Sequence, residues 1–167
     1  MNSVDVLDGW AEKFRPHPDG AQLPPHHDQC LGCGPDNPHG HHLVVHRRGE
    51  EVHAVHVFTQ SNVGAPGIAH GGAVATVIDD LFGFLLYLTG APAVTRQLVV
   101  RYDAPVLLGT SYELAARVVR EEGRKLFVEA EIGEAGRPLV AFASALFLEV
   151  DISHFERGGP GACAELD

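Results

Sequence analysis

The feature that most restricts the fold is a single long helical pattern set among strand patterns. The stretch GIAHGGAVATVIDDLFGFLL, residues 67–86, repeats apolar residues at helical spacing, whereas the flanking regions alternate or turn every ten residues or so. HLVVHR and EVHAVHVFT, either side of Arg48-Gly49-Glu50, read as a hairpin. Four more strands are expected after the helix, at residues 93–105, 110–120, 125–133 and 138–150, with EEGR and EAGR as turns. The last is apolar on both faces and reads as a central strand covered on both sides; its Ala141, Ala143 and Ala145 suit close packing. In the first, Leu98, Val100 and Tyr102 are expected on one face, and Thr95, Gln97, Val99 and Arg101 on the other. The order is β-β-α-β-β-β-β. Without βα alternation a doubly wound parallel sheet is excluded in favour of an α+β fold, a curved antiparallel sheet wrapped around one helix. Such a sheet leaves exposed edges and an incompletely covered helix, which pairing with a second copy would repair.

At 100° per residue, Val74, Val77, Ile78, Leu81, Phe84, Leu85 and Leu88 form one broad core face of this helix. Gly72, Ala75, Thr76, Asp79 and Gly83 lie roughly opposite, and Asp80 lies on the flank. Asp79 thus sits among small residues, where a ligand or a partner backbone can approach. A partly buried carboxylate is costly unless paired or functional, and desolvation makes it a stronger base. Gly71 and Gly72 leave the unpaired N–H groups of the helix N-terminus bare, and an oxyanion forming on a carbonyl would be held there. His70 is placed to orient that carbonyl or cap the helix. Phe82, Leu86 and Tyr87 suit an apolar pocket or the core equally well.

The chain has 167 residues and a net charge of −10, a balance that argues against nucleic-acid binding. Three cysteines, Cys30, Cys33 and Cys163, do not make a disulfide framework. The first fifteen residues lack the apolar run of a signal peptide, and the near-apolar stretch from Leu81 to Val94 is interrupted by Gly83, Thr89, Gly90 and Pro92. A cytoplasmic protein with no membrane partner is expected. Residues 1–29 read as a short amphipathic helix, residues 4–14, followed by an irregular extension; residues 30–153 as the main domain; and residues 154–167 as a flexible tail.

With these residues assembled, the sequence resembles the hotdog-fold acyl-coenzyme A thioesterases of the phenylacetic-acid-degradation and thioesterase-superfamily type. The resemblance covers about residues 30–150. It rests on His70-Gly71-Gly72-Ala73-Val74-Ala75-Thr76-Val77-Ile78-Asp79, on Val94-Thr95, on LVVRYDAP ending in Pro105, and on Glu122-Gly123-Arg124-Lys125. It implies that Asp79 is the general base or nucleophile, and that the Gly71 N–H binds the thioester carbonyl with His70 beside it. It further implies that Thr95 comes from the neighbouring subunit to position the attacking water, and that Arg101, Arg124 and Lys125 meet the phosphates of coenzyme A. Gly72 and Asn62 join the substrate-binding set. Some members carry an asparagine six residues before the histidine; here that position is Gly64, and Asn62 is two residues out of register. The implied partners are an acyl-coenzyme A and further copies of the chain, as a homodimer or a dimer of dimers.

HHDQCLGCGPDNPHGHH, residues 26–42, raises a metal question. Cys30 and Cys33 have zinc-like spacing with His26, His27, His39, His41 and His42 nearby, but the second CxxC of a zinc ribbon is missing. A similar CxxCGxxNPxG segment precedes the first strand in relatives of this family, and the segment is read as a lid or turn with no metal. The expected activity is hydrolysis of an acyl-coenzyme A thioester, with no cofactor beyond the coenzyme A of the substrate. The alternatives are a non-catalytic acyl-coenzyme A-binding module, a zinc-stapled interaction domain and, from Asp36-Asn37-Pro38-His39, an enoyl-coenzyme A hydratase.

Overall fold

The computed structural model describes residues 3–158. Helix α1 (Ser3–Ala11) leads into a long irregular segment, then a hairpin of β1 (Val45–Arg48) and β2 (Glu51–Val57). Between this hairpin and the long helix lie a 3-10 turn at Gln60–Asn62 and a miniature hairpin of β3 (Val63–Ala65) and β4 (Ile68–Ala69). Then come the long helix α2 (Gly71–Thr89) and four strands: β5 (Ala93–Tyr102), β6 (Ser111–Glu122), β7 (Lys125–Gly133) and β8 (Leu139–Glu149). The six long strands form one antiparallel sheet in the order β1-β2-β6-β7-β8-β5.

This is the expected α+β hotdog arrangement, and its packing explains why the helix fits. Ala116, Ala130 and Ala143 stand opposite one another on β6, β7 and β8, making a row of buried methyl groups across the sheet. Their small volume leaves room on that face for the large side chains of α2. Val74, Val77, Ile78, Leu81, Phe82, Phe84, Leu85, Leu86 and Tyr87 are all buried. By length and composition α2 is apolar enough to cross a membrane, but half of it is buried inside the protein, so its apolarity is that of a core helix. It stops at Gly90, whose left-handed φ of 81° turns the chain while its N–H returns to the Leu86 carbonyl, 2.9 Å away.

The buried set exceeds the seven-residue stripe read from the sequence, and Phe82, Leu86 and Tyr87 prove to be core. The cause is the proline-rich segment before β1. Leu23, Cys33 and Leu43 are buried with the core, and the ring of His26 packs 4.2 Å from that of Phe84. The Leu23 N–H donates to the Val45 carbonyl at 2.8 Å and the Arg47 N–H to the Ala21 carbonyl at 3.0 Å, which fastens the segment to the sheet edge. It therefore covers the helix where the sheet does not reach.

Other expectations are corrected. α1 ends at Ala11, and residues 12–14 continue as tight turns. β8 is paired along both edges, but only its Ala141-Ala143-Ala145 face is covered; Phe142, Ser144, Leu146 and Leu148 are half-exposed. In the region expected to be a tail, Ile152–Gly158 forms a 3-10 helix and Phe155 packs 4.6 Å from the ring of Trp10; residues 159–167, including Cys163, lie outside the described residues. The alternation along β5 breaks at a bulge between Thr95 and Gln97. Thr95 is opposite Phe147 and Leu98 opposite Ala145, so Thr95 shares the helix-facing side with Leu98, contrary to the expected phase.

Leu85 is fully buried, so Leu85→Ala should lower stability by about 2–5 kcal/mol, read as a reduced midpoint of urea unfolding.

Candidate active site

The N-terminus of α2 is shaped by two side chains, His70 and Tyr102. His70 is the N-cap, extended at φ −62° and ψ 131°, and its Nδ1 accepts the Gly72 N–H at 2.9 Å. A ring nitrogen that accepts a backbone N–H is the unprotonated one, so the neutral ring carries its proton on Nε2. The Ala73 and Val74 N–H groups both donate to the His70 carbonyl. Gly72 is therefore already satisfied, and Gly71 is the first-turn amide that donates to nothing among the described residues. The hydroxyl of Tyr102 donates to the Gly71 carbonyl and fixes that peptide against β5. No local pattern marks this link, because 31 residues separate the partners.

Asn62 lies beside this turn. Its carbonyl accepts the His70 N–H at 2.7 Å, and its Oδ1 caps Thr59. The absence of an asparagine at position 64 has a steric cause: a Cβ on Gly64 would lie 2.6 Å from the His70 Cα, so no side chain fits. The Gly71 end opens on a cleft of about 440 Å³ lined by Ile68, Ala69, Val74, Tyr102, Pro105 and Val106.

Two turns further on, Oδ1 of Asp79 accepts the Thr95 hydroxyl at 2.9 Å. The bulge in β5 makes this possible by turning Thr95 toward the helix, and the contact lies within one chain. Thr95 of the same chain thus holds Asp79, where the resemblance implied a Thr95 from the neighbouring subunit. Burial raises the Asp79 pKa above the ordinary carboxylate value, against the opposing pulls of the Thr95 hydrogen bond and the nearby His26 charge. The carboxylate faces a crevice of 190 Å³ lined by Trp10, Phe14, Ala93, Thr95 and Phe147. It is poised to hold a proton from water. It is not within reach of Gly71 in the same chain: eight residues of helix separate them, about 12 Å along the axis.

The cations do not gather. Arg101 is opposite Phe142 and Lys125 is opposite Leu148, six positions apart on β8, or roughly 20 Å. Arg101 is paired with Asp103 at 2.9 Å and lies 5.3 Å from the centre of the Phe142 ring, on the face away from α2. Arg124 and Lys125 sit in the β6–β7 turn, near the Asp79 end of β5.

Asp80, left without a role by the sequence, meets the histidine-cysteine segment. Its Oδ1 is 3.0 Å from His26 Nδ1 and 3.1 Å from Cys30 Sγ. Cys33 Sγ is 3.3 Å from the same His26 nitrogen. Burial pulls the His26 pKa down, but the hydrogen bonds to Asp80 and Cys30 outweigh it and raise the pKa to about 9. Asp36-Asn37-Pro38-His39 is an exposed turn, tied by the His39 N–H to Asn37 Oδ1 at 2.9 Å and leading into no helix.

A bare glycine amide opening a central helix, with a desolvated carboxylate further along it, is the arrangement that the resemblance to hotdog-fold thioesterases implies. Residues 66–141 match the thioesterase superfamily. Among curated relatives, the chain is 30% identical over 115 residues to acyl-coenzyme A thioesterase THEM4 of Bos taurus, covering 67% of this chain and 47% of that one. The chain spans about half the length, or less, of the curated relatives it matches first. Among solved structures, thioesterase superfamily protein RHA08564 superposes with a TM-score of 0.68 at 22% identity, over 87% of this chain and 74% of that one. The smu.793 protein of Streptococcus mutans UA159, solved bound to acetyl CoA, gives 0.56 at 22% identity, over 60% and 82%.

Removing the Thr95 hydroxyl removes a hydrogen bond that favours the charged carboxylate, so Thr95→Val should raise the Asp79 pKa further while Thr95→Ser leaves it near the wild-type value. Carboxyl NMR titration of the two variants reads this directly; an unchanged pKa in Thr95→Val would show the contact to be inert.

Proposed function

We propose that the chain hydrolyses an acyl-coenzyme A to the free acid and coenzyme A. The observation that carries this reading is Asp79: a partly buried carboxylate of raised pKa, held by Thr95 and open to a crevice. Water attacks the thioester carbon, Asp79 takes the proton, and the negative charge on the carbonyl oxygen rests against the Gly71 N–H. Collapse of the tetrahedral intermediate breaks the C–S bond, and the proton held by Asp79 goes to the departing thiolate. The reaction changes no oxidation state, so it calls for no redox cofactor. The free thiols of Cys30 and Cys33 suit a reducing, cytoplasmic setting.

The 12 Å between Gly71 and Asp79 along α2 means that one chain alone does not bring both groups to one carbonyl. A second copy would. β5 is an edge strand, ten residues long, with its outer edge unpaired. α2 runs antiparallel to it: Gly71 meets Tyr102 at one end and Asp79 meets Thr95 at the other. If two copies pair β5 to β5 about a two-fold axis, the Thr95 end of each lies beside the Tyr102 end of the other. Asp79 of one copy then approaches Gly71 of its partner, and both sites are completed together. The separated cations have the same remedy, since the Lys125 end of one chain comes beside the Arg101 end of the other.

Asp79→Asn should abolish thiol release from acyl-coenzyme A substrates while the fold persists. In the wild type kcat/KM should fall with acid as Asp79 is protonated, along a limb displaced above the ordinary carboxylate range. Gly71→Pro is the matched partner, because position N1 tolerates proline and His70 already has the backbone a following proline requires. It deletes the one amide and should cost about 10²–10³ in kcat. Co-expressing the two inactive chains should restore about a quarter of wild-type activity, since half the dimers are mixed and each holds one intact site. Full activity in Asp79→Asn would discard the mechanism. No recovery in the mixture would discard the shared site alone. Binding of acyl-coenzyme A without thiol release would identify a binding module instead.

A further inference from the structure

Four side chains that the proposed reaction does not use converge on one point beside α2. They are His26, Cys30 and Cys33 from the proline-rich segment and Asp80 from the helix, and one ligating atom from each lies within 4.8 Å of all the others. We propose that these four side chains form a closed, four-coordinate site for one zinc ion, which fastens the N-terminal segment to the central helix.

The donor set and spacing carry the inference. Two thiolates, an imidazole and a carboxylate are ligands that tetrahedral zinc takes, and C-x-x-C supplies two of them from one tight turn. Bond lengths of about 2.0–2.3 Å in a tetrahedron put neighbouring ligand atoms roughly 3.4–3.8 Å apart. The measured separations of 3.0 Å (His26 Nδ1 to Asp80 Oδ1), 3.1 Å (Cys30 Sγ to Asp80 Oδ1) and 3.3 Å (Cys33 Sγ to His26 Nδ1) need to widen by only a few tenths of an ångström. All three edges meet at His26 Nδ1 or Asp80 Oδ1, so the atoms face inward around a common centre.

The surroundings are built for it. The His26 N–H donates to Cys33 Sγ at 3.2 Å, a bond that supports a thiolate better than a thiol. Gly32 and Gly34 are obligatory: a Cβ on Gly32 would lie 2.1 Å from Asp80 Cγ, and one on Gly34 2.3 Å from the Cys30 nitrogen. A Cβ on Gly83 would lie 2.7 Å from the His26 ring, so α2 is notched to admit the imidazole. A Cys30–Cys33 disulfide would need neither His26 nor Asp80. With four protein ligands no position is left for substrate, so the role is structural. Binding releases the two thiol protons and strengthens as pH rises.

The test uses the full chain, purified without chelator from zinc-supplemented cells. Elemental analysis should find about one zinc per chain, and cobalt(II) exchanged into the site should give thiolate-to-metal charge-transfer absorption of a tetrahedral centre. Cys30 and Cys33 should resist a thiol reagent until a chelator exposes them. Asp80→Asn should weaken zinc binding at least tenfold by competition with a chromophoric chelator, and Cys33→Ser should weaken it more. Either variant losing its fold leaves the wild-type cobalt spectrum and thiol count to decide. A chain without stoichiometric zinc and without the cobalt-thiolate band would overturn the site. So would a Cys30–Cys33 disulfide in the intact mass, or bound zinc that leaves all three thiols reactive, which would put the metal on other histidines.

Discussion

Two adjacent carboxylates on the central helix are the constraint around which the rest is arranged. α2 is buried along most of its length, so neither Asp79 nor Asp80 can turn wholly to water as a surface pair would. Neighbours on a helix point about 100° apart, and each therefore needs its own solution from a different part of the chain. Asp79 takes a single hydroxyl from the far edge of the sheet and keeps an open side. Asp80 is enclosed by a segment from the other direction, which brings an imidazole and two sulfurs. One carboxylate keeps an open side and the other is enclosed, and what separates them is the number of partners each is given.

The fold was largely legible because it follows from periodicity. The limits of α2, the turn at Gly123 and the small face of β8 come from local patterns that packing reinforces. Reading failed where one residue disturbs a phase. The bulge at β5 shifts Thr95 to the helix side, and an alternation rule carries no term for an inserted residue. It failed again where contacts join residues far apart in sequence. Tyr102 with Gly71, and Asp80 with Cys30 fifty residues earlier, have no local signature. The spacing of Cys30 and Cys33 raises zinc with the nearby histidines, whereas the side chains that gather on those cysteines are His26 and, from the helix, Asp80.

The resemblance singles out Asp79 and Thr95, and implies a Thr95 from the neighbouring subunit; the fold brings the two together within one chain. The amide at Gly71 lies eight residues of helix away from that pair. Distance along a rigid rod is a firmer guide here than residue type, because no rotamer of Asp79 spans about 12 Å.

Stability and reactivity meet at the crevice in front of Asp79. Its wall includes Trp10 and Phe14, which belong to the N-terminal segment, and His26, which belongs to the Asp80 cluster. Phe14 in turn packs 5.3 Å from the ring of Tyr87 on α2. The desolvation that raises the Asp79 pKa is therefore supplied partly by residues outside the matched core at 66–141. Whatever holds that segment on the helix sets how dry the carboxylate is, and so how strong a base it can be. An anchor at Asp80, one residue from Asp79, exerts that control at the shortest distance the chain permits.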